Sequence, residues 1–508
     1  MESVGNNKRI AKNTILLYAR TLLIMCIQLY TSRVILAELG VVDYGLYGVI
    51  GGVVLIFTYL NGSLGSSSSR FITVEMGKRD MQRLKKVFST SLAMHITMAF
   101  IILVLCEIIG LWFLNTKMVI PADRMVAAQW VFQLSVFTAM ISITQVPYNA
   151  TIIAHEHMGV YAYVGMFEAI GKLGVAFLIS VNPFDRLVWY AILLVIIQFI
   201  VMMTYRAYCL RHFEESKFQF QKDGKLYKSM LTYSLYDTIG SCSVMAQGQG
   251  INMVLNVFCG PVVNAARAIA FQVQGATSSF ANNFMTAVTP QIIKLYAQGN
   301  EGEMMKLVKR SSIFCFVLMT MIVLPLSLEI NFVLKLWLGE YPAYTATFTI
   351  LVLVNTVIDT FRRPRINCFH ATGNIRLSNI ITGTILCMAL PLAYIFMRLG
   401  FNPNSVFWGV ILTSCISDCT NLLILRRYIN YSIRGFIKHV HLRCFAHLVC
   451  TSLLPIAVYY MMDDGVIRFL IIGFLSVILS CLSGVYIAFE KEDREKIFAI
   501  IKQRITKK

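Results

Sequence analysis

The sequence predicts an all-α polytopic membrane protein, and three observations support this prediction. The mean hydropathy of the 508 residues is +0.66, and 57% of them are hydrophobic while only 14% are charged. A soluble chain would carry roughly 25% charged residues. Apolar runs of about 20 residues recur from end to end, and each can cross the ~30 Å hydrocarbon layer as a helix. Continuous runs favour helices because the strands of a membrane barrel would alternate between apolar and polar residues.

About fourteen such spans can be counted along the chain. Their approximate limits are 12–34, 44–66, 88–114, 126–150, 161–181, 187–209, 229–256, 263–289, 311–337, 344–361, 377–398, 405–425, 441–461 and 466–488. The second, seventh and eighth spans are the weakest, because they are rich in Gly, Ser, Asn and Gln. A membrane helix tolerates such residues where they face other helices or a wet cavity.

Positive charge is distributed unevenly between the two sides of the predicted membrane. Lys and Arg concentrate at the N-terminus, after even-numbered spans and in the tail; the segment after span ten, for example, carries Arg362, Arg363, Arg365 and Arg376. Cytoplasmic loops carry such an excess, so both termini are predicted to be cytoplasmic. The net charge of +19 is therefore attributed to topology, and no nucleic-acid partner is predicted.

The chain also repeats itself. Gly40-Val-Val-Asp matches Gly260-Pro-Val-Val-Asn, and Pro147-Tyr-Asn-Ala matches Pro364-Arg-Ile-Asn, each pair about 220 residues apart. The shared offset predicts a duplication of six spans, with the two halves related by an axis along the membrane normal. The predicted domains are a six-helix bundle at 1–210, a pseudo-symmetric six-helix bundle at 211–430, and two further transmembrane helices with a basic cytoplasmic tail at 431–508.

This architecture is typical of a transporter rather than an enzyme. Two packed halves around a central cleft suit alternating access. The thirteen cysteines are scattered, and the sequence has no CxxC pair, His-rich cluster, GxSxG elbow or Walker loop. We therefore predict no catalytic residues, no metal and no cofactor.

Ionisable residues inside spans are the candidate functional residues, since each costs ~2.5–3.5 kcal/mol at bilayer depth on insertion scales. The cations suit an anionic head group, because the arginine fork forms bidentate bonds to phosphate or carboxylate. The predicted substrate-binding residues are Arg20, Arg33, Lys172 and Arg267, with Tyr18 and Tyr30 as rings that stack on sugars. The predicted residues for coupling to H⁺ or Na⁺ are Asp237, Asp359 and Glu168.

Structural alternatives remain open for these residues. Glu168 and Lys172 are four apart on one helical face, so they can also form an internal ion pair. Asp237 and Asp359 can also make helix–helix hydrogen bonds, and tyrosines also form interfacial belts.

The stretch 29–54, LYTSRVILAELGVVDYGLYGVIGGVV, resembles the first hairpin of Wzx-type O-antigen and polysaccharide flippases. These belong to the MATE-like multidrug/oligosaccharidyl-lipid/polysaccharide (MOP) superfamily. The matching elements are Arg33, Leu39, Gly40, Tyr44 and Gly45. Arg70-Phe-Ile and Glu75-x-Gly77 also fit a lipopolysaccharide-biosynthesis subgroup.

The resemblance implies that the chain flips a polyprenyl-diphosphate-linked oligosaccharide, such as an O-antigen or other surface polysaccharide unit, across the bacterial inner membrane. Its partners would be this lipid-linked substrate, membrane lipids and a coupling ion, H⁺ or Na⁺. Two alternatives within the superfamily are a lipid II-type flippase and a multidrug/cation antiporter. A polytopic glycosyltransferase or polymerase fits less well, because no outer loop exceeds about 20 residues.

Overall fold

The computed structural model describes residues 2–58, 61–116, 118, 120–179, 185–219, 223–490 and 494–495. All secondary-structure elements in this part of the chain are helices, so the predicted all-α fold class is confirmed. The chain divides into two compact units, Met1–Thr238 and Ile239–Lys508. Most of the predicted basic tail lies outside the described residues.

The first unit contains seven complete α-helices and the beginning of an eighth. They are α1 (Glu2–Thr58), α2 (Asn61–Lys78), α3 (Met81–Leu105), α4 (Leu111–Thr116), α5 (Met125–Ala154), α6 (Met158–Leu178), α7 (Arg186–His212) and α8 (Gly224–Cys259). The boundary between the units falls within α8. Here α1 packs on α6, and α5 packs on α2, α3 and α7.

The second unit contains the rest of α8 and ten further α-helices. They are α9 (Pro261–Ala297), α10 (Glu301–Leu328), α11 (Ile330–Leu338), α12 (Thr345–Thr372), α13 (Ile375–Cys387), α14 (Ala389–Arg398), α15 (Asn404–Leu425), α16 (Ile433–Phe436), α17 (Leu442–Met461) and α18 (Val466–Ser483). At the centre of this unit α12 packs against α9, α10 and α15, while α17 and α18 pack on each other and on α10.

Eleven helical stretches in the described residues are long and apolar enough to cross a membrane. The chain is therefore a multi-pass membrane protein. Three further helices, α2, α8 and α9, are not among these eleven stretches. They contain the polar segments that the sequence marks as the weakest spans. The count of fourteen spans stays a prediction.

The apolar surface fits this membrane setting. Many large hydrophobic side chains are exposed, among them Phe445 at 64% and Tyr460 at 82%. Soluble monomers rarely expose apolar patches of this extent, because water would drive their association. In a bilayer the same side chains contact lipid.

Two glycines change the direction of the chain at equivalent positions of the sequence repeat. Gly40 within α1 has φ 76° and ψ 169°, and Gly260 between α8 and α9 has φ 79° and ψ −178°. This conformation is essentially open only to glycine, since a Cβ would clash with the backbone. Gly40 ends one helical segment and the next begins directly after it, so α1 consists of two helices that meet at a kink. The shared conformation agrees with the predicted duplication.

The helices extend further than the predicted spans. Span ten is predicted to end at residue 361, but α12 continues to Thr372. Arg362, Arg363 and Arg365 therefore lie on a helix and not in a loop. Arg is a good helix former, so a basic segment can continue a membrane helix without a break.

The two C-terminal helices are joined to the rest of the second unit by a buried ion pair. Arg468 of α18 donates from Nε and Nη2 to the two carboxylate oxygens of Glu329, at 2.6 and 3.0 Å. Arg468 also donates to the Tyr459 and Met462 carbonyls and pairs with Asp464. The bidentate geometry is the strong form of this interaction. It joins the loop between α17 and α18 to the junction of α10 and α11.

Candidate functional site

Arg20 is the most distinctive charged residue of the first unit. It lies seven residues into the apolar stretch Asn13–Gly40, which corresponds to a depth of about 10 Å along a helix. Its guanidinium carbon lies 4.6 Å from the ring centroid of Tyr161 on α6. Its Nε is buried without a hydrogen-bond partner among the described residues. Arg20 is thus held by an aromatic face rather than by a carboxylate.

Glycine on α6 makes room for this arginine. A Cβ placed on Gly165 would lie 2.7 Å from Nη2 of Arg20 and would displace the guanidinium. Small residues allow membrane helices to approach closely, and here α1 and α6 meet at such a point. Tyr161 and Gly165 are four residues apart, so one face of α6 holds Arg20.

The same face of α6 continues to Glu168 and Lys172. Nζ of Lys172 donates to Oε1 of Glu168 at 2.6 Å, and both side chains remain partly exposed. The structure therefore contains the ion pair that the sequence left open as an alternative. One face of α6 combines an aromatic ring, a small residue and two opposite charges.

The other predicted residues of the first unit are more dispersed. Tyr18 is half-buried on α1, Arg33 is exposed on the same helix, and Tyr30 is exposed with its ring 6.3 Å from Phe177. Asp237 is half-buried on α8. No contact joins Arg33 or Tyr30 to Arg20 among the described residues.

Near Asp237, one turn earlier on α8, a second aromatic–cation group is formed. The ring of Tyr233 is perpendicular to that of Phe71 at 6.0 Å, and Arg70 lies 5.3 Å from the Tyr233 centroid. Arg70 is thus held between aromatic rings of α2 and α8, a role that its sequence position at the end of a span did not reveal.

In the second unit, Arg267 is 8% exposed. From α9 it donates to the Asn252 side-chain oxygen at 3.2 Å and to the Gly248 carbonyl at 2.8 Å, both on α8. Its guanidinium carbon lies 4.1 Å from the Phe271 ring centroid. All of these partners are neutral.

Arg267 lines a cavity of about 170 Å³ formed by α8, α9, α12, α13 and α15. Among the described residues that line it, the charged side chains are Arg267, Asp359 and Arg362. Arg362 donates to Asp359 at 2.9 Å across one helical turn. The structure therefore brings Arg267 and Asp359 to one cavity, but it pairs Asp359 with a cation.

Three further residues of this cavity, which the sequence did not mark as functional, present buried polar atoms that have no partner among the described residues. They are Gln247 with Nε2, Asn355 with Oδ1 and Arg362 with Nε. Asn355, Asp359 and Arg362 are spaced by four and three residues on α12, and this spacing was the available signal. The predicted end of span ten at residue 361 concealed it.

A second buried charge group lies on α12. Arg365 is fully buried and pairs with Asp418 of α15, which also lies 3.2 Å from His441 Nε2. The His441 ring stacks on Phe361 at 4.5 Å. The group joins α12 and α15 to the segment that leads into α17, as an internal connection within the second unit.

Two turns outside the spans of the first unit carry ion pairs. His155 Nε2 lies 2.5 Å from Glu215 Oε1, and the His155 ring stacks on Phe213 at 4.0 Å. Burial of Glu215 opposes its ionisation, but the hydrogen bond with His155 and the nearby charges outweigh burial and lower the pKa of Glu215. Asp185 caps α7 and accepts from Arg124 at 2.6 Å; burial again opposes ionisation, and these bonds lower its pKa.

Comparison with solved structures identifies the fold. A multidrug resistance MATE family transporter of the MOP superfamily, in its outward-facing conformation, matches with a TM-score of 0.72 and 16% identity over 83% of this chain and 95% of its own. A MATE protein in the straight conformation matches with a TM-score of 0.71 and 16% identity, covering 83% and 96%. No protein-family model and no curated protein matches the sequence.

A third neighbour is a MOP superfamily transporter from Pyrococcus furiosus, described by the reverse polarity of its binding pocket. It matches with a TM-score of 0.70 and 16% identity over 83% of this chain and 95% of its own. Agreement over almost the whole length of these neighbours shows that the chain has the MATE/MOP transporter fold.

Proposed function

We propose that the chain is a membrane transporter that flips a polyprenyl-diphosphate-linked oligosaccharide, an O-antigen or other surface polysaccharide unit, from the inner to the outer leaflet. It would reside in a bacterial inner membrane with both termini in the cytoplasm. The observation that carries the proposal is Arg20, a membrane-embedded guanidinium that makes no ion pair among the described residues.

Arg20 suits an anionic head group for a physical reason. A guanidinium at bilayer depth is expensive, and a carboxylate partner would normally offset this cost. Here Tyr161 supplies only a ring face, which contributes about 0.5–2 kcal/mol. A diphosphate arriving at Arg20 would provide the missing negative charge and accept its forked donors.

The rest of the proposed path follows α6. Lys172 is partly exposed and can exchange Glu168 for a phosphate or an acidic sugar. Arg33, Tyr18 and Tyr30 on α1 would contact the glycan, with the tyrosines as stacking faces. The lipid tail would stay in the bilayer while alternating access exposes the head group to each leaflet in turn.

Ion coupling by H⁺ or Na⁺ is part of the proposal, with the three acidic residues predicted from the sequence, Asp237, Asp359 and Glu168, as the candidates. Glu168 and Asp359 each form an ion pair with a basic side chain. A coupling ion would have to compete with that basic partner.

A reconstitution experiment tests the flippase proposal. Vesicles carry the purified chain and a fluorescently labelled polyprenyl-diphosphate oligosaccharide, and a membrane-impermeant quencher reports how fast inner-leaflet label becomes accessible. We expect Arg20→Gln to slow this rate at least about tenfold, the equivalent of 1.4 kcal/mol. Arg211→Gln, which changes an exposed arginine at the end of α7, is the matched control and should keep the wild-type rate.

Two results would overturn the proposal. One is a wild-type rate no faster than that of protein-free vesicles. The other is an Arg20→Gln rate equal to the wild-type rate, because the guanidinium would then play no part in translocation.

A multidrug or cation antiporter remains the second candidate, because two of the structural neighbours are MATE proteins. The arrangement of charges favours it less. Arg20, Lys172 and Arg267 would repel a cationic drug, and the neighbour from Pyrococcus furiosus is itself described by a pocket of reverse polarity.

A further inference from the structure

We propose that the cavity around Arg267 within the second unit binds one small inorganic anion, of the size of chloride or phosphate. The inference does not depend on what the transporter carries. It gives Arg267 a different ligand from the head group predicted from the sequence.

The charge of the cavity is unbalanced. Arg267 and Arg362 each carry a full positive charge, because a guanidinium does not lose its proton in proteins. Asp359 supplies one negative charge and is paired with Arg362 at 2.9 Å. The described lining therefore keeps a net charge of +1. A buried charge without a counter-ion costs several kcal/mol even after relaxation, so a site of this kind favours occupation by an anion.

The unmatched polar atoms are mostly donors. Nε of Arg267, Nε of Arg362 and Nε2 of Gln247 are all buried, and none has an acceptor among the described residues. Oδ1 of Asn355 is unmatched as well. The oxygen and nitrogen of an asparagine amide can exchange places by a flip, so Asn355 can present its NH₂ group instead. An anion would accept hydrogen bonds from several of these donors and also balance the positive charge of the cavity. A neutral solute could accept the hydrogen bonds but would leave the charge unbalanced.

The size of the cavity selects the class of anion. About 170 Å³ holds an inorganic anion with a few waters, since a water occupies roughly 30 Å³. Pockets for drug-sized ligands measure roughly 300–1,000 Å³. A sugar-bearing head group is therefore too large for this cavity, whereas a single halide or phosphate group fits.

Thermal unfolding of the full-length protein in detergent tests the proposal. Unfolding is followed by tryptophan fluorescence in sodium gluconate, with chloride or inorganic phosphate replacing gluconate at constant ionic strength. A bound anion stabilises the folded state by mass action, so chloride or phosphate should raise the Tm by roughly 1–3 °C. A short-chain polyprenyl phosphate, as a third arm, tests whether the anion is free or part of a lipid.

Three variants make the result specific. Arg267→Gln should lose the anion-dependent rise, and Arg211→Gln, an exposed control, should keep it. Asn355→Asp places the missing negative charge inside the cavity. It should raise the Tm in gluconate and remove the response to chloride, so the test does not depend on the stability of Arg267→Gln.

The proposal is overturned if the wild-type Tm does not respond to chloride or phosphate, which would leave water as the occupant. It is also overturned if Asn355→Asp keeps the full response, since the anion would then bind elsewhere. A response to the polyprenyl phosphate alone would make the cavity part of the substrate path and would contradict a free inorganic anion.

Discussion

Arg20 and Arg267 are both arginines inside membrane helices, yet their surroundings differ. Arg20 contacts a tyrosine ring and depends on Gly165 for space. Arg267 is almost completely buried, donates to an asparagine and a backbone carbonyl, and lines a cavity of about 170 Å³. The same residue type therefore serves two proposed ligands, a lipid diphosphate and an inorganic anion.

The sequence identified these arginines but not their partners. An ionisable residue in an apolar run is visible without a structure, and the spacing of Glu168 and Lys172 predicted their shared face. The contact of Arg20 with Gly165 joins two helices that are far apart in the chain, so no local pattern reveals it. Gln247 was missed for the same reason, whereas the spacing of Asn355 with Asp359 and Arg362 was concealed by the predicted end of span ten.

The Glu215 carboxyl provides a prediction about pH at the residue scale. Its pKa is lowered in the folded state, so it stabilises the fold above the pKa of the unfolded chain, and this contribution disappears as the pH falls through the lower, folded-state value. Glu215→Gln should therefore lower the Tm at pH 7. The difference from wild type should begin to shrink below about pH 4.3, where the carboxyl of the unfolded chain becomes protonated, and should disappear below the lower pKa of the folded state.

Denaturation scans of both proteins between pH 3 and pH 8 measure this difference. The exposed neighbour Glu214, which pairs with Lys85 at 3.2 Å, supplies Glu214→Gln as the control with a much smaller effect. A Glu215→Gln difference that is constant over the whole range would show that the carboxyl does not act through its charge.

At the scale of the helices, the two glycine junctions lie where the chain changes direction, Gly40 within α1 and Gly260 between α8 and α9. Gly40 and Gly260 share a positive φ with an extended ψ. The sequence marked both as members of matching motifs, although it did not indicate that Gly40 lies at a kink between two helical segments. Backbone conformation of this kind follows from tertiary packing as much as from the local residues.

We expect Gly40→Ala to lower the free energy of unfolding by roughly 1–3 kcal/mol, the cost of forcing a side chain into this conformation. Nothing lies within 4 Å of the added Cβ, so the effect would come from the backbone alone. Gly62→Ala, inside α2 and equally uncrowded, should be neutral or slightly stabilising because alanine favours a helix. Equal effects of the two substitutions on the Tm would contradict this explanation.

Helix ends were predicted less accurately than helix existence. Hydropathy ends a span where charge begins, but α12 continues through three arginines because the second unit buries Arg365 against Asp418. Arg468, close to the start of α18, is likewise buried by a distant partner, Glu329 at the junction of α10 and α11. A buried partner from a distant segment is the information that a hydropathy window lacks.

At the scale of the whole molecule, the chain has the MATE/MOP transporter fold, and its helices carry the cations Arg20, Lys172 and Arg267. The fold is recognised by similarity to solved structures at 16% identity, while composition and apolar runs already predicted an all-helical membrane protein. The carried substrate depends on side chains, and so the argument for an anionic cargo rests on Arg20, Lys172 and their neighbours.

The most direct test of this account is a comparison of cargoes in vesicles that contain the wild-type protein. The measurement is the rate at which each cargo crosses the membrane. The cargoes are a labelled polyprenyl-diphosphate oligosaccharide, a neutral glycolipid with the same glycan, and a lipophilic cationic dye. We predict that the diphosphate-linked oligosaccharide moves at least about tenfold faster than the neutral glycolipid and that the dye is not transported. Transport of the cationic dye without movement of the diphosphate-linked oligosaccharide would contradict the account.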